Sequence, residues 1–154
     1  MKKSPDYLLY LVDANKQLLY SKWLRSVSSD EYREGMSLLC EVLQKHNLCL
    51  WLHNNKHLTQ LDVQEQRWVT EELGLLLVGS NLKYLASICP DHEGTSMSIK
   101  SVRDRAYRIY GKRVIAELFE DEETALAWML PNMQHYRLPK LTDSTAELAL
   151  SQAL

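Results

Sequence analysis

Strand-like segments open the chain and enclose a polar turn. Residues 7–12 and 17–23 are both rich in apolar and aromatic residues, and residues 13–16 between them read Asp-Ala-Asn-Lys. Asp and Asn side chains bond to nearby backbone and tolerate left-handed conformations, so they favour turns. Two strand-like runs on either side of such a turn predict a β-hairpin.

Helical and strand-like segments alternate after the hairpin. The spacings Ser28-x-x-Glu31 and Asp62-x-x-Glu65 are capping boxes and predict two helix starts. The first helix is expected to end near His46 and the second near Gly79. The second helix is predicted to carry the apolar residues Trp68, Val69, Leu73, Leu76 and Leu77. Further strands are predicted at 48–52, 84–89 and 114–119, and further helices at 98–110 and 122–130.

The resulting element order is β-β-α-β-α-β-α-β-α, which is typical of an α/β domain. Strands that alternate with helices over short connections favour a mostly parallel sheet with right-handed crossovers. The pattern changes after Pro131, where an irregular segment is followed by a short Leu-rich helix. We therefore predict one domain over residues 1–130 and a C-terminal extension over residues 131–154, either docked on the domain or used for association.

Composition indicates a globular cytoplasmic protein. The sequence is 45% hydrophobic and 25% charged, with a net charge of −2. Three cysteines without a CxxC pair indicate reduced thiols rather than a disulfide scaffold. The near-neutral charge argues against a nucleic-acid partner. The N-terminal apolar run is too short for a signal peptide, and no stretch reaches the length of a membrane span.

The sequence resembles the SpoIIAA-like superfamily, which includes STAS domains and their uncharacterised bacterial relatives. The similarity covers about residues 5–130 and depends on element order and spacing. The segments that carry it are the turn Asp13-Ala14-Asn15, Trp23-Leu24 before the helix start at 28–33, the apolar strand ending at Trp51-Leu52, and the acidic stretch 119–124 before Ala125-Leu126-Ala127-Trp128. The resemblance implies a SpoIIAA-like fold: an N-terminal β-hairpin, a mostly parallel five-stranded sheet and helices mainly on one face.

One departure from these relatives concerns a regulatory phosphorylation site. Anti-sigma-factor antagonists of this superfamily carry an Asp-Ser pair after the central strand, and a partner kinase phosphorylates the serine. In this chain Thr59 is the one hydroxyl residue between His53 and Asp62, and its context does not match. The phosphorylation mechanism is therefore not carried over.

Candidate binding residues follow two of the predicted strands. Open α/β sheets bind ligands beyond the carboxyl ends of their strands, and polar residues cluster there in two predicted loops. The candidate binding residues are His53, Asn54, Asn55, His57, Thr59, Asp91 and His92.

We predict no metal site, cofactor or catalytic residue among them. The His-x-x-x-His spacing of 53–57 places two ligands together on a helix, but two asparagines make this segment a loop. Cys89 could pair with a histidine as a nucleophile, yet its place at a strand end before Pro90 is more typical of packing. Glycine-rich phosphate loops and nucleophile elbows are absent from the sequence.

Two further groups of side chains have a structural and a functional interpretation. A basic helix face could receive an acidic partner, be solvated, or be neutralised by the acidic stretch 117–123. The four tryptophans lie in apolar segments and are predicted to anchor the core. The basic face consists of Lys100, Arg103, Arg105 and Arg108, and the tryptophans are Trp23, Trp51, Trp68 and Trp128.

The function expected from the sequence is a non-enzymatic regulatory or protein-interaction module. The resemblance implies partner proteins or small ligands rather than catalysis. A homodimer is expected, because a sheet with helices mainly on one side leaves its other face to be covered. The alternative is a small-ligand or lipid-binding domain that holds an apolar ligand between sheet and helices.

Overall fold

The computed structural model of the chain describes residues 5–59, 61–90 and 93–130. The predicted C-terminal extension, with its short helix, lies outside the described residues. So do two of the candidate binding residues, Asp91 and His92.

Five strands of the described residues form one mixed sheet in sequential order. The first two strands are antiparallel, as the predicted hairpin requires, and every later neighbour is parallel. The predicted mostly parallel five-stranded sheet is therefore confirmed. The strands are β1 (Leu8–Asp13), β2 (Leu18–Trp23), β3 (Leu50–Asn54), β4 (Tyr84–Ile88) and β5 (Ile115–Phe119).

Within the described part of the chain, four helices cover the sheet, three of them on one face. The helices are α1 (Ser29–Lys45), α2 (63–78), α3 (Glu93–Tyr110) and α4 (Glu122–Met129). Side chains of α1, α2 and α3 pack in one core with Leu19 and Trp51 of the sheet. Ala125 and Met129 of α4 pack on the other face with Leu52. The prediction that helices lie mainly on one face is confirmed.

The helix α2 contains a π-helical turn in its middle. It is α-helical over Val63–Trp68, π-helical over Val69–Leu73 and α-helical again over Gly74–Val78. A π turn holds an extra residue and so rotates everything after it around the axis. Leu76, one of the apolar residues assigned to this helix, lies away from the core for this reason and is 47% exposed.

Two predicted boundaries were also wrong. β3 extends through His53 and Asn54, which were assigned to the loop that follows. α3 starts at Glu93, five residues before the predicted start. The Ser98 hydroxyl donates to the Gly94 carbonyl at 3.0 Å, a local bond that a helix accommodates. Gly and Ser residues that predicted a loop therefore form the first turns of the helix.

The two predicted capping boxes differ in the structure. At α1, Ser28 accepts from the Glu31 amide and the Glu31 side chain accepts from the Ser28 amide, so the box is complete. At α2, Asp62 accepts from the Glu65 amide at 2.9 Å. The Glu65 carboxylate instead accepts two hydrogen bonds from Arg33 of α1, at 2.9 and 3.2 Å. Glu65 thus joins two helices.

The tryptophans and the basic face only partly match the predictions. Trp23 and Trp51 are fully buried, whereas the other two tryptophans are partly buried. Arg103 lies 3.1 Å from Asp104 and 3.5 Å from Glu117. The acidic stretch therefore neutralises part of the basic face, as one of the interpretations held.

No helix among the described residues is long and apolar enough to cross a membrane.

Replacement of Gly35 by alanine should destabilise the protein by about 1–3 kcal/mol, the usual cost of overpacking. A Cβ at this position of α1 would lie 2.8 Å from the ring of Trp23, which is fully buried and cannot move away. Gly79→Ala is the matched control, because the nearest atoms to its Cβ would be 3.7 Å away. Urea unfolding should show a loss for Gly35→Ala alone, and equal stability of the two variants would contradict this account.

Candidate functional site

A row of polar side chains crosses the helix-covered face of the sheet. Side chains alternate between the two faces of a strand, so Ser21 shares the face of Leu19 on β2. The register places Ser21 beside His53 of β3, and His53 beside Ser87 of β4. Three adjacent strands therefore each present a polar residue to an apolar core.

A cavity of about 140 Å³ lies between this face and the three helices. His53 and Ser87 belong to its lining, together with the indole of Trp51. Apolar side chains from the sheet, α2 and α3 form most of the remaining wall, including Val69, Leu77, Leu85, Ile99, Val102 and Leu118. An apolar enclosure with a few placed polar groups is the usual form of a small-molecule site.

A short chain of hydrogen bonds fixes the orientation of His53. The indole Nε1–H of Trp51 donates to the Ser21 hydroxyl at 2.8 Å. An indole nitrogen can only donate, so the Ser21 oxygen is the acceptor and its own hydrogen remains for another bond. His53 Nδ1 lies 2.5 Å from that oxygen. The arrangement favours a hydroxyl that donates to Nδ1, with the imidazole hydrogen on Nε2.

The second nitrogen of this imidazole is without a partner. His53 is 4% exposed, and its Nε2 is a buried atom with no hydrogen-bond partner in the described structure. Burial lowers the pKa of His53 to about 3, although the Ser21 backbone offsets part of the effect. The ring is therefore neutral at physiological pH, and its unpartnered nitrogen is buried in a residue that lines the cavity.

Aromatic rings and Asn55 hold this imidazole in place. Its ring lies 5.6 Å from Trp23 in an edge-on arrangement and 5.2 Å from Trp51. Asn55 also lines the cavity, and its side-chain oxygen accepts from Trp23 Nε1 at 3.1 Å. The indoles beside His53 are therefore themselves fixed by hydrogen bonds.

The π-helical turn of α2 lies over the cavity and is joined to α3. The Tyr110 hydroxyl donates to the carbonyl of Thr70 at 3.0 Å. A Cβ on Gly74 would lie 2.9 Å from the Tyr110 ring, so glycine permits this close approach. Val69, Thr70 and Gly74 all line the cavity. The irregular turn thus shapes its wall, in agreement with the frequent occurrence of π turns at functional sites.

Another lining residue, Tyr107, protects the edge of the sheet. Its hydroxyl accepts from the Ala116 amide at 2.7 Å and donates to the Ala116 carbonyl at 2.8 Å. β5 is the last strand of the sheet, and unpaired backbone at an edge promotes pairing with other chains. Tyr107 therefore closes a wall of the cavity and occupies part of this edge.

Tyr107→Phe should lower the free energy of unfolding by about 1–2 kcal/mol, because the Ala116 amide and carbonyl lose their partner. The variant should also self-associate more readily than wild type. Thermal unfolding and sedimentation velocity measure the two effects. Tyr84→Phe is the control, since Tyr84 is 40% exposed. A Tyr107→Phe protein as stable as the Tyr84→Phe protein would contradict the assigned role.

Asn54 faces the opposite side of the sheet and has a structural role there. Its side-chain amide donates to Glu122 of α4 at 2.8 Å, and the Tyr20 hydroxyl donates to the same carboxylate oxygen at 2.5 Å. Burial and the Glu122 carboxylate raise the pKa of Tyr20 well above its usual value. These bonds join α4 to two strands.

The structure separates the predicted binding residues. His53 and Asn55 lie at the cavity, Asn54 lies on the other face, and His57 and Thr59 are exposed. No three His, Cys, Asp or Glu side chains in the described ranges are placed to hold a metal ion. The binding roles of the exposed residues stay predictions.

Sequence reasoning missed Ser21, Trp51 and Ser87 as site residues. The signal for two of them was present, because side chains alternate along a strand and this alternation places Ser21 and Ser87 on the side that faces the core. Polar residues on that side of adjacent strands indicate a site or a buried hydrogen-bond network. The cavity itself has no sequence signal, since its walls are ordinary apolar core residues.

Comparisons with known proteins identify the fold. An uncharacterised protein of the DUF3478 family from Shewanella loihica PV-4, which has a SpoIIAA-like fold, aligns with a TM-score of 0.51 at 20% sequence identity. The alignment covers 84% of this chain and 98% of that one. No protein-family model matches the sequence, and no curated protein matches it either. The chain thus has a SpoIIAA-like fold, as the sequence predicted.

Proposed function

We propose that this domain binds a small, mainly apolar molecule in the cavity between the sheet and helices α1, α2 and α3. The supporting observation is the cavity of about 140 Å³, which has apolar walls and the buried polar edge of His53. A cavity of roughly this size in a protein core accepts benzene. This was the alternative function expected from the sequence.

Exposed apolar surface favours a binding role over an imperfect core. The space between the sheet and the helices is partly open to solvent, so its apolar lining stays hydrated until a ligand covers it, and such burial contributes about 25 cal/mol per Å². A larger side chain at Ala106 or Ala116 would reduce this space, since both line it.

Ala106→Leu should abolish saturable binding of methylenecyclohexane, a hydrocarbon probe, because the added side chain occupies the cavity. The unliganded variant should be as stable as wild type or more stable, since it buries additional methylene groups at about 0.8 kcal/mol each. Calorimetric unfolding with and without the probe measures both effects, because a bound ligand stabilises the folded state.

Ala127→Leu provides the control for this experiment. Ala127 is exposed on α4, on the other face of the sheet, and the same substitution there should leave the probe-induced stabilisation unchanged. A wild-type protein that neither this probe nor the ketone of the same shape, cyclohexanone, stabilises at saturation of its aqueous solubility would overturn the proposed function.

A non-enzymatic regulatory or protein-interaction role is the second candidate. Leu75 and Leu76 of α2 are 62% and 47% exposed, because the π turn directs them away from the core. Adjacent exposed leucines on a helix favour an interaction surface. The expected form of interaction is a homodimer.

Sedimentation equilibrium of the full chain tests this second role. Wild type should form a dimer at high concentration, and a variant with Leu75→Asn and Leu76→Asn should remain monomeric at the same concentration. A monomeric wild type, or an unaltered dimer in the variant, would contradict a homodimer through this surface.

A further inference from the structure

We propose that the cavity selects ligands with a neutral carbonyl group, whose oxygen accepts a hydrogen bond from Nε2–H of His53. This inference rests on the ligand-binding function proposed above and specifies the chemistry of the ligand. It follows from the hydrogen bonds that connect Trp51, Ser21 and His53. It also follows from the row of polar side chains on the side of the sheet that faces the cavity.

The hydrogen-bond chain begins at an obligate donor. Trp51 donates to Ser21, because an indole nitrogen has a hydrogen and no lone pair to offer. We assign the Ser21 hydroxyl as the donor to Nδ1 of His53, which lies 2.5 Å from its oxygen. A neutral imidazole carries one hydrogen, and this assignment places it on Nε2. A ligand that pairs with Nε2 must then supply the acceptor.

The unpartnered donor is itself an argument for a ligand. A buried polar group without a hydrogen bond is expensive, and native proteins satisfy the large majority of such groups. His53 is 4% exposed, lines the cavity and has Nε2 without a partner in the described structure. A ligand acceptor at this place would complete the chain of hydrogen bonds that begins at Trp51.

The surroundings favour a neutral carbonyl over a charged acceptor. Most of the lining is apolar, and an unpaired anion in such surroundings would lose its hydration. Arg103 lines the cavity but is already engaged with Asp104 and Glu117. Ser87 lies next to His53 in the sheet register, and its hydroxyl can act as a second hydrogen-bond donor. A carbonyl oxygen has two lone pairs and can accept from both residues.

A matched pair of probes isolates this selectivity. Cyclohexanone and methylenecyclohexane have nearly the same shape and differ by an oxygen in place of a CH₂ group. The ratio of their dissociation constants is measured for wild type, for His53→Phe and for His57→Phe. The last variant is the control, because His57 is exposed outside the cavity.

In His53→Phe the affinity for cyclohexanone relative to that for methylenecyclohexane should fall by on the order of tenfold, the equivalent of one net hydrogen bond. It should be unchanged in His57→Phe. The infrared carbonyl stretch of cyclohexanone bound to wild type gives a second test that needs no variant. It should lie at a hydrogen-bonded frequency, lower than that of the ketone in hexane.

The outcomes separate this inference from the proposed function. If both probes bind but the ratio is the same in wild type and His53→Phe, or the bound ketone absorbs as it does in hexane, the carbonyl inference is wrong and the ligand-binding function stands. If His53→Phe fails to fold, the infrared frequency in wild type decides. If neither probe binds wild type, both proposals are wrong.

Discussion

Acidification from about pH 7 to about pH 4 should cost the wild-type protein about 3 kcal/mol more stability than it costs a His53→Phe variant. The difference arises from one buried imidazole. In the folded protein the pKa of His53 is about 3, against an ordinary value of 6.5. As the pH falls below 6.5, the unfolded chain binds a proton at this ring and the folded protein does not.

The sign of this effect follows from the lowered pKa. Stability from neutral His53 is fully present above the unfolded pKa and is lost progressively as the pH falls towards the folded pKa of about 3. Urea titrations at successive pH values give the slope for each protein. His57→Phe should keep the wild-type slope, since that ring is exposed. A His53→Phe slope equal to that of wild type would show that His53 is not buried as a neutral group.

Ser21→Ala should destabilise the protein by about 2–4 kcal/mol, although a hydroxyl is the only group removed. The Ser21 oxygen accepts from Trp51 and also forms a hydrogen bond with His53 Nδ1, 2.5 Å away. Its loss leaves two buried polar groups without partners, each at a cost of about 1–3 kcal/mol. Chemical denaturation at neutral pH measures the loss.

Ser87→Ala is the matched control for Ser21→Ala. Ser87 occupies the same row on the other side of His53, but it takes no part in the chain from Trp51. We expect its removal to change stability by less than about 1 kcal/mol. A Ser21→Ala protein no less stable than Ser87→Ala would contradict the hydrogen-bond chain.

The ¹⁵N chemical shifts of the His53 ring in wild type should show that the imidazole hydrogen is on Nε2.

The order of elements could be predicted from sequence because each signal is local. The turn at 13–16, the cap at Ser28 and the cap at Asp62 act within a few residues, and the structure has an element start or turn at each. Right-handed parallel connections then leave few arrangements of the strands. These rules limit the possible orders of the five strands, and the structure has the sequential one.

Two of the departures from the sequence predictions arose where distant contacts override local pattern. The π turn after Trp68 rotates the rest of α2, and its register depends on bonds such as the one from Tyr110 of α3 to Thr70. Glu65 leaves its capping box because Arg33 of another helix binds its carboxylate. Neither partner is adjacent in sequence.

The candidate site was only partly predictable for a related reason. His53 was identified as a binding residue, but as part of an exposed loop, because a polar run after an apolar strand usually marks a loop. Its burial depends on Ser21 and Trp51, which satisfy Nδ1 from within the sheet. A single sequence does not show that such partners will meet.

Isotope-filtered NMR of the full chain with bound cyclohexanone tests the central claim most directly. The account predicts saturable binding, with intermolecular NOEs from the ring protons of the ligand to methyl groups of Val69, Leu85 and Ile99, all of which line the cavity. NOEs confined to the exposed Leu75 and Leu76, or no saturable binding, would contradict a ligand site between the sheet and the helices.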